Sequence, residues 1–123
     1  MRLALRAGLA PRTFALLETT GNKTGRRRLT PIGNGLDGDT FWLVSELGLA
    51  SGYARNLQAD PHVRVKVGRR WFAGLAVVVP HDDGWARREQ IDARNGMMGR
   101  FDGKIFRASA TDPVTIRIDL QKV

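Results

Sequence analysis

The chain contains no cysteine, which excludes thiol catalysis, cysteine-ligated metals and disulfides. Histidines are equally scarce. His62 and His81 are the two present, so His81 beside Asp82 and Asp83 reads as a helix cap rather than a metal site, which needs more ligands at workable spacing. No apolar run reaches the roughly eighteen residues of a membrane span, and the start lacks the continuous apolar segment of a signal peptide. A soluble, cytoplasmic chain is expected. Neither H-E-x-x-H nor G-x-x-x-x-G-K-[ST] occurs, and no Ser-His-Asp order is persuasive. With no strong base or nucleophile in evident position, an enzyme of this sequence is expected to let a bound cofactor carry the reaction.

What is present is positive charge. The 123 residues hold 20 basic and 12 acidic side chains, a net charge of +8, which suits nucleic acid, a membrane surface or an acidic small molecule. Residues 1–36 carry +6 of that charge. The length fits one domain, 1–123, with residues 1–13 as a basic N-terminal arm. Gly8 and Pro11 break the arm into two short helical pieces between Met1 and Leu17. The arm is expected to pack on its own domain, with weak peripheral membrane contact as the alternative.

The densest chemistry lies at Thr19 to Arg28, Thr-Thr-Gly-Asn-Lys-Thr-Gly-Arg-Arg-Arg. Two glycines permit tight backbone turns, Lys23 and the arginines bring charge, and Thr20 and Thr24 bring hydroxyls, which together suggest an anion-binding turn. A merely solvated basic hairpin is the competing reading.

The surrounding pattern is mostly strand. Phe14 to Thr20 reads as a buried strand, Arg28 to Ile32 as a second, and Gly33 to Asp39 as a hairpin loop before the strand Thr40 to Val44. Gly33, Gly35 and Gly38 match G-x-G-x-x-G, yet a strand follows where a dinucleotide site requires a helix. A capped helix over Ser51 to Asp60 precedes strands at His62 to Val67 and Trp71 to Val79. A polar helix from Gly84 to Asn95 follows. Gly96 to Ala110 is the least regular stretch and is expected to be a mobile flap, before a final strand at Val114 to Leu120. About six strands, joined mostly by hairpins, with two or three short helices, predict a mainly β fold, a small antiparallel barrel.

Three stretches in order also resemble a known family. Leu17-Glu-Thr-Thr-Gly-Asn-Lys-Thr-Gly-Arg-Arg-Arg-Leu-Thr-Pro, Gly38-Asp-Thr-Phe-Trp-Leu-Val-Ser and Arg55-Asn-Leu-Gln-Ala-Asp-Pro-His-Val-Arg-Val are similar to the deazaflavin-dependent nitroreductase family, split β-barrel oxidoreductases that use reduced coenzyme F-420. The resemblance implies an FMN-binding-like split barrel in which Lys23, Thr24 and Arg28 hold the cofactor phosphate. It further implies that Thr30, Pro31 and Ile32 line the deazaflavin ring, that Val44 and Ser45 approach it from the next strand, and that Asn56 supports it from the helix. Ser45 is the candidate for a hydrogen bond near the hydride-donating centre. The chain departs from the family pattern at Asn22, where an arginine is usual, at Glu46, where a basic residue is common, and at Gly33, where an aromatic is found in nitroimidazole-reducing members.

The implied function is hydride transfer from reduced coenzyme F-420 to a small planar, electron-poor acceptor such as a quinone, an enone or a nitroaromatic. FMN is the alternative cofactor on the same barrel. A basic module binding nucleic acid or anionic lipid is the non-enzymatic alternative; no recognition helix and no interleaved aromatics support a nucleic-acid partner.

Overall fold

The computed structural model describes residues 14–121; the predicted helical pieces of the arm fall largely outside them. Seven strands form one antiparallel sheet: β1 (Phe14–Thr20), β2 (Arg27–Gly33), β3 (Leu36–Asp37), β4 (Thr40–Ser45), β5 (His62–Val67), β6 (Arg70–Val79) and β7 (Val114–Leu120). Their order across the sheet is β2-β1-β5-β6-β7-β4-β3. Three α-helices, α1 (Gly52–Ala59), α2 (Gly84–Arg94) and α3 (Gly96–Ser109), and a short 3-10 turn at Gly48–Ala50 complete the fold of the described residues. The sheet curls around an interior of Ala15, Leu17, Phe41, Leu43, Leu57, Val63, Val65, Ile116 and Ile118.

Local sequence explains most of these elements. β1 lies between β2 and β5 and is buried continuously from Ala15 to Thr19, first through the apolar Ala15, Leu16 and Leu17 and then through Glu18 and Thr19, whose polar groups find partners. β5 alternates, with Val63 and Val65 buried. Ser51 caps α1 by accepting from the Ala54 N–H, and Asp83 caps α2 by accepting from the Ala86 N–H. His81-Asp82-Asp83 is thus a strand exit and helix cap, with Asp82 held by Arg87 at 3.1 Å and by the Thr115 hydroxyl at 2.8 Å.

Two expectations need correction. The hairpin loop after β2 contains the short strand β3, which pairs with β4 through Leu36 opposite Phe41, so the sheet has seven strands rather than six. The expected flap is instead the fourteen-residue helix α3. Its inner face is small: Gly99 and Gly103 lie one turn apart, and a Cβ on Gly99 would fall 2.2 Å from the Asp92 carbonyl oxygen. The glycines that looked like loop residues therefore allow α3 to pack closely on α2, with Phe106 buried beside them, while most of the helix's other large apolar side chains point outward. Met97, Phe101 and Ile105 are 86%, 61% and 53% exposed. A pattern with two glycines beside a single buried phenylalanine, and apolar residues outside, masks the usual periodicity signal.

The second organising contact is ionic. Glu18 on β1 accepts from Arg27 at 2.6 Å and, through both oxygens, from Arg64 at 2.8 and 2.9 Å. Arg64 also stacks on Trp71 at 4.5 Å. This cluster joins β2, β1, β5 and β6 at the root of the glycine turn. Arg64, then Arg27, holds the Glu18 carboxyl below its ordinary 4.5 against the opposing effect of burial.

Gly99→Ala is expected to cost about 1–3 kcal/mol in denaturant unfolding, because the backbone of α2 must move. Gly52→Ala, where an added Cβ meets nothing within 4 Å, should be neutral or gain up to about 1 kcal/mol; equal losses at the two sites would contradict the packing. For Glu18 the folded pKa lies below the unfolded one, so its stabilisation is complete above 4.5 and is lost as pH falls through the depressed folded value. Glu18→Gln should therefore lose about 1–2 kcal/mol near neutral pH, with a shallower fall in stability on acidification. A parallel pH profile for the two proteins would show that the cluster is not formed.

Candidate functional site

Two cavities lie side by side along β2. The first, of about 510 Å³, is lined by Asn22, Arg27, Arg28, Leu29, Thr30, Gly52, Tyr53, Arg55 and Asn56. Three guanidinium groups face it and no carboxylate does. Arg28 and Arg55 have no ion-pair partner among the described residues, so their charge is available to an anion.

Its edge is built by the glycine turn. The Gly21 N–H donates to the Arg26 carbonyl at 2.7 Å and the Gly25 N–H to the Gly21 carbonyl at 2.8 Å. Gly25 has φ of 70°, a conformation that glycine adopts without penalty. The Thr24 hydroxyl accepts from the Arg26 N–H at 3.2 Å. Asn56, buried on α1, ties this turn to the helix: its carbonyl accepts from the Asn22 N–H at 3.0 Å and its amide donates to the Thr19 hydroxyl at 3.1 Å. At position 22 the backbone therefore has a structural task, whatever its side chain.

The second cavity, of about 380 Å³, is largely apolar and of small-molecule size. Pro31 and Ile32 of β2 line one side, and Trp42, Val44 and Ser45 of β4 form its wall. Arg88 and Ile91 of α2, with Asp102 and Ile105 of α3, close the far side. Tyr53 lines both cavities. Burial pushes its phenol above the usual 10.0, with hydrogen bonds to Ser45 and Ser51 opposing that shift in part; it is neutral at physiological pH. The Ser45 hydroxyl donates to the Gly48 carbonyl at 2.6 Å and lies 3.0 Å from the Ser51 hydroxyl. Trp42 is held from its other face by Arg87, whose guanidinium carbon lies 3.8 Å from the ring centroid.

The residues expected from sequence fall into three groups. Arg28, Thr30 and Asn56 come together at the cationic cavity, and Pro31, Ile32, Val44 and Ser45 at the apolar one. Lys23 and Thr24 stand on the exposed turn and line neither cavity. Tyr53, Arg55, Trp42, Arg88, Ile91 and Ile105 were missed as site residues. Arg55 and Trp42 sit inside the family-like stretches and were within reach. Arg88 carries no local signal, because only the packing of α2 against β4 turns it toward the cavity.

Among the described residues no helix is long and apolar enough to cross a membrane. Comparison with known structures gives the fold. An F420 reductase aligns with a TM-score of 0.69 at 20% identity, covering 97% of this chain and 92% of that one. An F420-H2 dependent reductase aligns at 0.60 and 20% identity, covering 89% and 95%. The heme storage protein HutZ from Vibrio cholerae also aligns, at 0.61 and 18% identity, covering 91% and 84%. The same barrel thus occurs in proteins of different ligand chemistry, and sequence must separate them. An F420H(2)-dependent quinone reductase of Mycobacterium tuberculosis is 36% identical over 105 residues, which span 82% of this chain and 70% of the relative. The family model described as F420H(2)-dependent quinone reductase matches residues 6–121. With the split-barrel sheet, the basic turn and the paired cavities already in place, this match over nearly the whole sequence shows that the chain belongs to the F420H(2)-dependent quinone reductase family.

Proposed function

We propose that the protein binds reduced coenzyme F-420 across its two cavities and reduces a quinone. The observation that carries this reading is the joined pair itself: a cationic, carboxylate-free cavity that continues along β2, past Tyr53, into an apolar one. An anionic tail with a flat ring attached has that same division of character. Arg28 and Arg55 would hold the phosphate, with Lys23 and Thr24 closing from the turn. Thr30, Pro31 and Ile32 would carry the ring from β2, Val44 and Ser45 would meet it from β4, and Asn56 would fix the turn on which the phosphate site depends. When bound, the reduced deazaflavin supplies the hydride. The chain's part is orientation and exclusion of water, since its walls of half-buried Trp42 and buried Val44 and Ile91 leave little solvent beside a bound ring.

A Lys23→Ala/Arg28→Ala variant should bind the cofactor at least about tenfold more weakly in a spectroscopic titration, as loss of charge-assisted phosphate bonds implies. FMN titrated in parallel should bind more weakly than the deazaflavin to the unmodified protein. Wild-type protein with reduced cofactor and menadione should oxidise the cofactor well above the rate without protein. Unchanged affinity in the double variant would mean that the phosphate lies elsewhere, and tighter FMN binding would favour the alternative cofactor.

The outer face of α3 supports a second element of this reading, a cytoplasmic enzyme in peripheral contact with an anionic bilayer. Met97, Met98, Phe101 and Ile105 form an exposed apolar stripe, and exposed Arg100, Lys104 and Arg107 lie along one side of it. Such a helix can lie in a lipid interface, and Ile105 reaches from the stripe into the apolar cavity's lining. The basic arm at residues 1–13, with weak peripheral membrane contact as its expected alternative, lies outside the described residues. Wild-type protein should cosediment with phosphatidylglycerol vesicles and not with phosphatidylcholine vesicles, and Phe101→Glu should reduce that binding. Failure of the wild type to bind anionic vesicles would remove this element and leave the soluble activity standing.

A further inference from the structure

Arg88 is a half-buried cation whose hydrogen-bonding capacity is only partly used within the chain. Its side chain is 17% exposed. The Nε–H is shared between the two carboxylate oxygens of Asp92, at 3.0 and 3.1 Å. One face of the guanidinium stacks on Phe106 at 4.6 Å, and Phe106 is in turn braced edge-on by Trp85, with ring centroids 5.6 Å apart. These contacts fix the group in position. Neither terminal nitrogen has an acceptor among the described residues, although buried donors are ordinarily satisfied. The same side chain lines the apolar cavity, across from Pro31 and Ile32.

From this geometry we propose that Arg88 is an oxygen-binding subsite for the acceptor: its terminal N–H groups donate to a carbonyl or nitro oxygen of a planar substrate lying against Ile91 and Ile105. The proposal rests on the assignment of the apolar cavity to ring and acceptor made above, and it adds a rule of selection. Hydride addition to a quinone places negative charge on an oxygen until a proton from water completes the hydroquinone, and a fixed guanidinium favours that charge. Glu46 and Asp102 line the same cavity, so acceptors that are already anionic meet repulsion. Neutral compounds with an accepting oxygen are the class selected.

Binding can be read without cofactor or turnover. Menadione and 2-methylnaphthalene share a methylated two-ring skeleton, and the first alone carries carbonyl oxygens. In equilibrium dialysis wild-type protein should prefer menadione, and Arg88→Met should weaken menadione binding by about tenfold or more, the scale of a lost charged hydrogen bond. Binding of 2-methylnaphthalene should stay within about twofold, since it makes no such bond. Arg88→Lys should restore part of the preference. Arg88→Met strands the buried Asp92 carboxylate, so the Arg88→Met/Asp92→Asn variant provides the same test without an unpaired charge. Cofactor affinity should be unchanged in every Arg88 variant. Equal weakening of both probes would assign Arg88 a structural role, and loss of cofactor affinity would assign its oxygen partner to the cofactor; either result overturns the proposal. If neither probe binds wild-type protein, the cavity assignment fails and the proposal with it, whereas an unchanged preference in Arg88→Met overturns the proposal alone.

Discussion

β4 has two apolar faces, and most of the architecture follows from covering both. Phe41 and Leu43 fill the barrel interior, while Trp42 and Val44 point to the other side. A strand that exposed Trp42 and Val44 to water would forfeit several kcal/mol of burial, so the chain between β6 and β7 returns as the α2–α3 pair and lays Ile91 and Phe106 over them. Coverage is incomplete because α2 meets β4 while β2 lies beyond it, and the space that remains is the apolar cavity. The site is therefore a consequence of how the sheet's outer face is roofed.

The cationic cavity depends on a different constraint. Its arginines project from the strand β2 and the helix α1, and Asn56 ties the helix to β1 and to the turn that leads into β2 by bonding the Thr19 hydroxyl and the Asn22 N–H. Glu18 pairs with both Arg27 and Arg64 just below, which leaves Arg28 and Arg55 as the cavity's uncommitted charges. One carboxylate thus allows several cations to crowd the same end of the barrel. Tyr53, neutral and half-buried, forms the partition between the charged cavity and the apolar one.

Much of this was legible before any coordinates. The glycine turn, the alternation of β5, the caps at Ser51 and Asp83, and the rejection of a dinucleotide site at Gly33 to Gly38 all rest on local chemistry, and each agrees with the fold. The family-like stretches pointed to Arg28, Thr30, Pro31, Ile32, Val44, Ser45 and Asn56, which line one cavity or the other, and also to Lys23 and Thr24, which line neither. What stayed hidden was tertiary. α3 looked like a flap because two glycines occupy the face it turns to a neighbouring helix and, Phe106 apart, its large apolar residues face outward. Arg88 looked like one more solvated charge on a polar helix, and only its contacts with Asp92 and Phe106 distinguish it from Arg87 beside it.

In the proposed complex one ligand spans both cavities, with its charge at Arg28 and its ring against β2 and β4. A crystal structure of the protein with oxidised coenzyme F-420 tests this most directly. The expected result is a phosphate within hydrogen-bonding distance of Arg28 or Arg55, and a ring between Pro31–Ile32 and Trp42–Val44. A ring bound outside that cavity, or a phosphate on another face of the barrel, would contradict it.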